Sequence, residues 1–217
     1  MDYKKVFEDS IEEIFKEFEK MGQQIKNSNV IDRYLIAAIY KVVRLSKSII
    51  LLCENGRSDE ALIILRSLIE HTVNMRWVMT KDTKNRVKMY LSDLSKKEFG
   101  KEWTPLKLPD RMSQIGFLDR DYFDFCVKLT YSYAHVNASS LRWGEVYNDP
   151  RLNEDAWEPE GIYQVAIQMT GHIMCALNTR YINYFKNYKE LWEKIPVDKD
   201  IRKKVDLLKE EGVSELN

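Results

Sequence analysis

Apolar residues recur at three- and four-residue steps along most of this 217-residue chain, and this periodicity constrains the fold more than any other feature. Useful period-two alternation is missing, and 8 Gly and 5 Pro are few for the length, which favours long helices over many turns. The pattern therefore predicts an all-α, single-domain helical bundle of about five to seven helices. One face of the first helix would carry Phe7, Ile11, Ile14, Phe15, Phe18, Met21 and Ile25.

Capping signals divide the first half of the chain into helices. A helix over 30–54 is expected to end at Gly56, because glycine suits a left-handed C-terminal cap. Ser58 is a candidate N-cap for a helix to about residue 80, and the residues that follow it, Asp59 and Glu60, complement the helix dipole. A more solvated helix is predicted over 81–99.

Further elements are predicted in the second half. They are a connector over 100–118 with Pro105 and Pro109, a helix over 119–136, an irregular stretch over 137–161, a helix lined by Tyr163, Ile167, Thr170, Met174, Leu177, Tyr181 and Phe185, and short helices with a polar tail over 188–217. A single domain over 1–217 is predicted, with its core at roughly 30–187. The irregular stretch is unusually long for a compact domain, and such stretches are often functional.

Charge and cysteine content restrict the class of protein. The 34 basic and 34 acidic residues balance, so no global field favours nucleic acid or an acidic membrane. Aromatic residues look scattered and not interleaved with a basic patch. Cys53, Cys126 and Cys175 have no metal-ligand spacing and fit buried free thiols in a reducing compartment. No secretory signal and no membrane span are predicted, which favours a cytoplasmic protein.

The helix over 58–80 is apolar almost all round, yet it carries a polar stripe. At about 100° per residue, five polar side chains fall within one sector of roughly 140°: Arg66, Ser67, Glu70, His71 and Asn74. Polar groups on a core helix must satisfy one another or face something polar. Arg66 and Glu70 are four residues apart and are expected to pair.

A second polar stripe lies on the helix predicted over 119–136, where Tyr131, Ser132 and His135 share one side with Asp124 and Lys128. If the two stripes face each other, a cleft forms in which a carboxylate orients an imidazole and raises its pKa. Such a histidine can act as a general acid or base. In this hypothesis His135, His71, Glu70 and Arg66 are catalytic, whereas Tyr131, Ser132 and Asn74 contact the substrate.

A structural explanation stands beside this hypothesis. Interhelical polar networks without catalysis satisfy buried groups in many proteins, and a solvated face explains Asp124 and Lys128. His172, on an apolar helix, fits a core histidine better than a ligand. The sequence has no Glu-x-x-His, no His-Glu-x-x-His, no glycine-rich phosphate loop and no nucleophile elbow, so no metal or cofactor is expected.

Two segments, RSLIEHTVNMRWV and YSYAHVNAS, resemble a mainly bacterial helical family, domain of unknown function 5677. That family pairs an Arg-Ser-Leu-x-Glu helix with a later Ser-x-x-His segment. The matching positions are Arg66, Ser67, Leu68, Glu70, Ser132 and His135. The resemblance covers roughly 30–185 and implies a helical fold and a shared polar site, without an established activity.

A looser resemblance is to HEPN domains, which include metal-independent ribonucleases with an Arg-x(4–6)-His motif. Arg66 and His71 have that spacing, although five residues place them about 140° apart on a helix. The resemblance implies a histidine acting on a ribose 2′-hydroxyl, Arg66 stabilising phosphate charge, and a homodimer that joins two sites. The partners it implies are RNA or a small anionic ligand.

Two functions follow from these patterns. The first is a HEPN-like, metal-independent ribonuclease or defence toxin, with the 137–161 stretch as a lid. The second is a non-catalytic binding or interaction module, in which the arginine, glutamate and histidine form a structural interhelical network.

Overall fold

The computed structural model describes residues 2–24, 29–93, 104, 106–115 and 158–180. These residues form six helices and contain no strand, so the all-α helical bundle is confirmed. The helices are α1 (Tyr3–Gln24), α2 (Val30–Glu54), α3 (Ser58–Thr80), α4 (Thr83–Asp93), α5 (Leu108–Gln114) and α6 (Pro159–Arg180).

Helix α3 lies at the centre of the bundle, because its most extensive contacts are with α2 on one side and α6 on another. Its side chains Leu65, Leu68 and Val73 are fully buried. Burying each such side chain stabilises the fold by roughly 1.5–3 kcal/mol relative to leaving it exposed. Helix α1 packs against α6 and α2, and it buries the predicted face at Phe7, Ile11, Ile14 and Phe18.

Both ends of α2 are capped by hydrogen bonds. The side chain of Asn29 accepts hydrogen bonds from the backbone N–H groups of Ile31 and Asp32, at 2.9 and 3.1 Å. The Asp32 carboxylate accepts one in return from the Asn29 backbone, which completes a capping box. At the other end Gly56 has the predicted left-handed conformation, with φ at +67°.

The glycine turn after α2 satisfies carbonyl groups at the end of the helix. The N–H of Arg57 donates to the Leu52 carbonyl at 2.9 Å, and the N–H of Gly56 donates to the Cys53 carbonyl at 3.1 Å. These two bonds form a Schellman motif. The turn reverses the chain within three residues, so α2 and α3 form a helical hairpin.

The predicted start of α3 was wrong by one position. Ser58 is its first helical residue and is buried, whereas Arg57 occupies the N-cap position without a side-chain capping bond. The helical conformation already starts at Ser58 because the C-terminal turn of α2 is only three residues long. The end near residue 80 is confirmed, since α3 ends at Thr80.

Two predicted boundaries between α3 and α5 need correction. Helix α4 starts at Thr83, not at 81, because Asp82 has a positive φ of 49° and breaks the helical path after α3. The supposed connector contains α5, in which Pro109 is the second residue. Proline is tolerated there because the first N–H groups of a helix have no intrahelical acceptor.

The irregular stretch predicted over 137–161 is wrong for its last three residues, because α6 starts at Pro159. The predicted apolar side of α6 is buried at Tyr163, Ile167, Thr170, Met174 and Leu177. The helix predicted over 119–136, the rest of the irregular stretch and everything after 180 lie outside the described residues. The single-domain boundaries therefore stay a prediction.

None of the described helices is long and apolar enough to cross a membrane. The described residues also contain no group of three or more His, Cys, Asp or Glu side chains that could hold a metal ion.

Candidate functional site

The predicted pair of Arg66 and Glu70 forms on the outer side of α3. The Nε of Arg66 donates to Oε1 of Glu70 at 2.8 Å, and its Nη2 lies 2.7 Å from the same oxygen. Arg66 keeps only 16% of its side-chain surface exposed, whereas Glu70 keeps 47%. The guanidinium charge is therefore offset by a carboxylate of its own helix, and an anion that approaches Arg66 must compete with Glu70.

His71 points to a different neighbour. Its Nε2 lies 3.0 Å from the carbonyl oxygen of Ala38 on α2, which can only accept a hydrogen bond, so Nε2 carries the proton. Burial lowers the pKa of His71 below its usual value; the Ala38 bond opposes this effect and the nearby charge of Lys41 adds to it. A neutral imidazole thus bridges α2 and α3.

The structure divides the polar stripe of α3 into two parts. Arg66 and His71 lie about 140° apart around the helix axis, and each has its own partner. The expectation that a carboxylate would raise the pKa of a stripe histidine is wrong for His71, whose pKa is lowered by burial. Arg66 and Glu70 therefore pair within α3, whereas His71 bonds to α2.

The other two stripe residues differ in exposure. Ser67 is exposed, and its hydroxyl donates to the Ile63 carbonyl one turn earlier at 3.5 Å. Asn74 is partly buried, and its Oδ1 is buried without a hydrogen-bond partner. A buried amide oxygen without a partner costs on the order of 1–3 kcal/mol, so Asn74 is a weak point of this helix face.

The opposite side of the predicted cleft is the second polar stripe. Tyr131, Ser132 and His135 lie outside the described residues. Their meeting with α3, and the role of His135, stay predictions.

His172 of α6 faces α3 near Arg76. Burial lowers its pKa to about 3, and the positive charge of Arg76 acts in the same direction. The histidine is therefore neutral at pH 7. His172 is partly buried, on a helix that packs against α3.

Sequence patterns did not reveal the contacts among Arg86, Trp77 and Gln114 that connect α3, α4 and α5. Arg86 is 8% exposed, lies 3.8 Å above the Trp77 ring and donates to the Trp77 backbone carbonyl. The Trp77 indole donates to Oε1 of Gln114 at 2.7 Å. The sequence predicts a solvated helix around Arg86. A single arginine in a polar segment does not indicate that its side chain packs on a tryptophan of another helix.

A second missed feature lies on the exposed side of α2. Tyr40, Lys41, Arg44 and Lys47 are all exposed there, and we name these four residues the α2 cationic face. One aromatic residue, Tyr40, lies beside the three cations of this face. The three-residue spacing of the cations was the available signal, but it was hidden in a segment that is otherwise strongly apolar.

The side chain of Cys53 lies in the interior of the bundle. It is buried and free. Burial raises the pKa of Cys53, which makes the thiolate scarce and the side chain unreactive, although the nearby Tyr163 hydroxyl acts to lower that pKa.

Part of the described architecture matches a known protein family. Residues 32–107 match DUF5677, a family of unknown function. The resemblance predicted from the sequence is thereby confirmed over α2, α3, α4 and the segment that leads to α5. No match was found among curated proteins or among solved structures.

The DUF5677 segment contains Arg66, Glu70 and His71, together with the whole α2 cationic face. It stops before Ser132 and His135, so the match covers one of the two motifs on which the resemblance was based. The looser resemblance to HEPN domains rests on the spacing of Arg66 and His71 alone.

Proposed function

We propose that this protein is a non-catalytic binding module in which the polar residues of α3 stabilise the helical scaffold. The observation that carries the proposal is the hydrogen bond from His71 to the Ala38 carbonyl. A histidine that donates from Nε2 to a backbone carbonyl, and is kept neutral by burial, holds two helices together. Recognition of a partner then falls to exposed side chains.

The geometry of Arg66 supports the same proposal. Two of its donors are directed at one Glu70 oxygen, on the side of α3 that His71 does not occupy. For phosphate-ester cleavage, an imidazole and a charge-stabilising arginine must reach the same reacting group. Arg66 and His71 instead bond to separate groups, the Glu70 carboxylate and the Ala38 carbonyl.

Substitutions at His71 test the structural role. His71→Leu keeps much of the volume but removes the donor, and we expect it to lower the free energy of unfolding by about 1 kcal/mol. His71→Ala also leaves a cavity and is expected to cost about 2–3 kcal/mol. For a chain of this size, 1 kcal/mol corresponds to a fall of about 2–4 °C in melting temperature.

Two control variants make this experiment specific. His71→Gln retains an N–H donor of similar reach, so its melting temperature should lie closest to that of the wild type. Arg66→Ala breaks an ion pair whose acidic partner is half exposed, and it should cost less than about 1 kcal/mol. Equal melting of all four variants would contradict the structural role of His71.

A ribonuclease is the competing hypothesis, and it now depends on His135. In that hypothesis His135 would act with Arg66, and two copies would join their sites in a homodimer. Incubation of a labelled oligoribonucleotide in EDTA with the wild type, Arg66→Ala and His135→Ala distinguishes the two functions. The binding module predicts RNA of unchanged length in all three, and sedimentation reports the oligomeric state.

A further inference from the structure

The α2 cationic face is an uncompensated charge cluster. Lys41, Arg44 and Lys47 are exposed, and none of them makes an ion pair with any residue that the structure describes. The only carboxylates of α2 are Asp32, which is buried in the capping box, and Glu54 at the last position, which pairs with Lys4. Three cations thus occupy two turns of helix without an acidic neighbour on α2.

Several exposed cations elsewhere in the described residues have carboxylate partners. Lys5 pairs with Asp9 at 2.8 Å, Lys16 with Glu12 at 3.5 Å, and Arg57 with Glu60 at 3.8 Å. Because the chain has no net charge, the α2 cationic face is a local excess of positive charge on a neutral protein. An anionic polymer would therefore be directed to this face and not to the protein as a whole.

The spacing of the cations forms a continuous track. Three-residue steps advance each cation by about 4.5 Å along the axis and rotate it by about 60° around the helix. Lys41 and Lys47 are therefore separated by about 9 Å along the axis, with Arg44 between them. A row of cations this long suits a chain of phosphates better than a single small anion.

Tyr40 adds an aromatic surface to the same track. Its side chain is 48% exposed, although its ring packs edge-on against Phe18 at 5.6 Å and Phe15 at 6.2 Å. The two phenylalanines of α1 hold the ring in place, so it offers a surface at little entropic cost. Proteins that bind single strands combine a basic track with such rings, on which bases stack.

We propose that the α2 cationic face binds single-stranded nucleic acid, with Lys41, Arg44 and Lys47 contacting phosphates and Tyr40 stacking on a base. The proposal names the partner of the binding module and so rests on the proposed function. A single strand carries a base beside every phosphate, whereas an acidic peptide has no such regular pairing of negative charge with a stacking surface. A duplex would hide its base faces from Tyr40.

Fluorescence anisotropy with labelled 15-nucleotide oligo(U) and oligo(dT), in EDTA and at several salt concentrations, tests the proposal. The variant Lys41→Ala/Arg44→Ala/Lys47→Ala should weaken binding at least about tenfold at low salt. It should also reduce the slope of log Kd against log salt concentration by about 2, because each phosphate contact on a single strand contributes about 0.7. The oligo(U) and oligo(dT) arms distinguish RNA from DNA as the source of the strand.

The matched control is Lys5→Ala/Lys16→Ala/Arg57→Ala, which removes the same charge from exposed positions that have carboxylate partners. We expect its affinity to stay within about twofold of the wild type. Tyr40→Phe should bind like the wild type, whereas Tyr40→Leu should bind about tenfold more weakly because leucine packs on α1 but cannot stack. Melting curves check that each variant is folded, and Arg44→Ala alone provides a milder second variant.

The proposal is overturned if the wild type binds neither oligonucleotide at low salt, or if the control variant loses as much affinity as the α2 variant. Binding to vesicles rich in phosphatidylserine without binding to either oligonucleotide would overturn it in favour of a membrane surface. Shortened RNA would contradict the non-catalytic function, yet the α2 cationic face would stand if its variants still lost affinity. If the wild type neither binds nor cleaves RNA, the proposal for the α2 cationic face is overturned, whereas the non-catalytic function is not contradicted.

Discussion

At the scale of single residues, His71 and Arg66 have separate roles although they are five positions apart. His71 donates to the Ala38 carbonyl of the neighbouring helix, and Arg66 pairs with Glu70 on its own helix. Helical geometry predicted their angular separation of about 140°. The partner of His71 could not be predicted, because a backbone carbonyl has no signature in the sequence.

The two described histidines make stability depend on pH in a defined direction. Burial lowers the pKa of His172 to about 3 and also lowers the pKa of His71. In the unfolded chain both have pKa values near 6.5, so below that pH the unfolded state binds more protons than the folded state. The free energy of unfolding contributed by these residues is therefore fully present above about pH 6.5 and is lost as the pH falls towards the folded values.

Urea unfolding at pH 7 and pH 5 measures this effect. We expect His172→Gln to lose about 1–2 kcal/mol of the stability difference that the wild type shows between the two pH values. Carboxylates also titrate in this range, but they are the same in both proteins and cancel in the comparison. An identical pH dependence in wild type and variant would mean that His172 is solvated and titrates normally.

At the scale of helices, local signals predicted several elements well. The bounds of α2 agree with the prediction, and so do its glycine cap, the end of α3 and the buried side of α6. These features depend on periodicity and cap chemistry, which neighbouring residues determine. Helix α5 was not predicted because prolines in a short segment indicate a break in a helix. The contacts of Arg86 were not predicted because they join residues of three helices.

The turn between α2 and α3 allows a clean test of one local signal. Gly56 has φ at +67°, and a Cβ added there would meet no heavy atom within 4 Å. Gly56→Ala should therefore lower the free energy of unfolding by about 1 kcal/mol through backbone strain alone. Gly56→Asn should cost less, because asparagine tolerates the left-handed region better. Thermal melting checks the order, and an alanine variant as stable as the wild type would contradict it.

At the scale of the whole molecule, the described helices form a scaffold centred on α3, with opposite tasks on two of its surfaces. His71 of α3 bonds to α2 and Arg66 pairs with Glu70 within α3, whereas the cations of α2 have no acidic partner on their helix. Composition concealed this arrangement, because the charges of the chain sum to zero. A balanced total does not report how charge is distributed over the folded surface.

Nitrogen-15 NMR of the imidazole ring shows whether His71 is a neutral structural bridge between α2 and α3. Chemical shifts of the two ring nitrogens give the tautomer and, from pH 8 to pH 4, the pKa. We predict a proton on Nε2 and a pKa below 6.5, with the Nε2 proton shift altered in a variant that weakens the contact between α2 and α3. A proton on Nδ1 of the neutral ring, or a pKa at or above 6.5, would contradict the structural bridge.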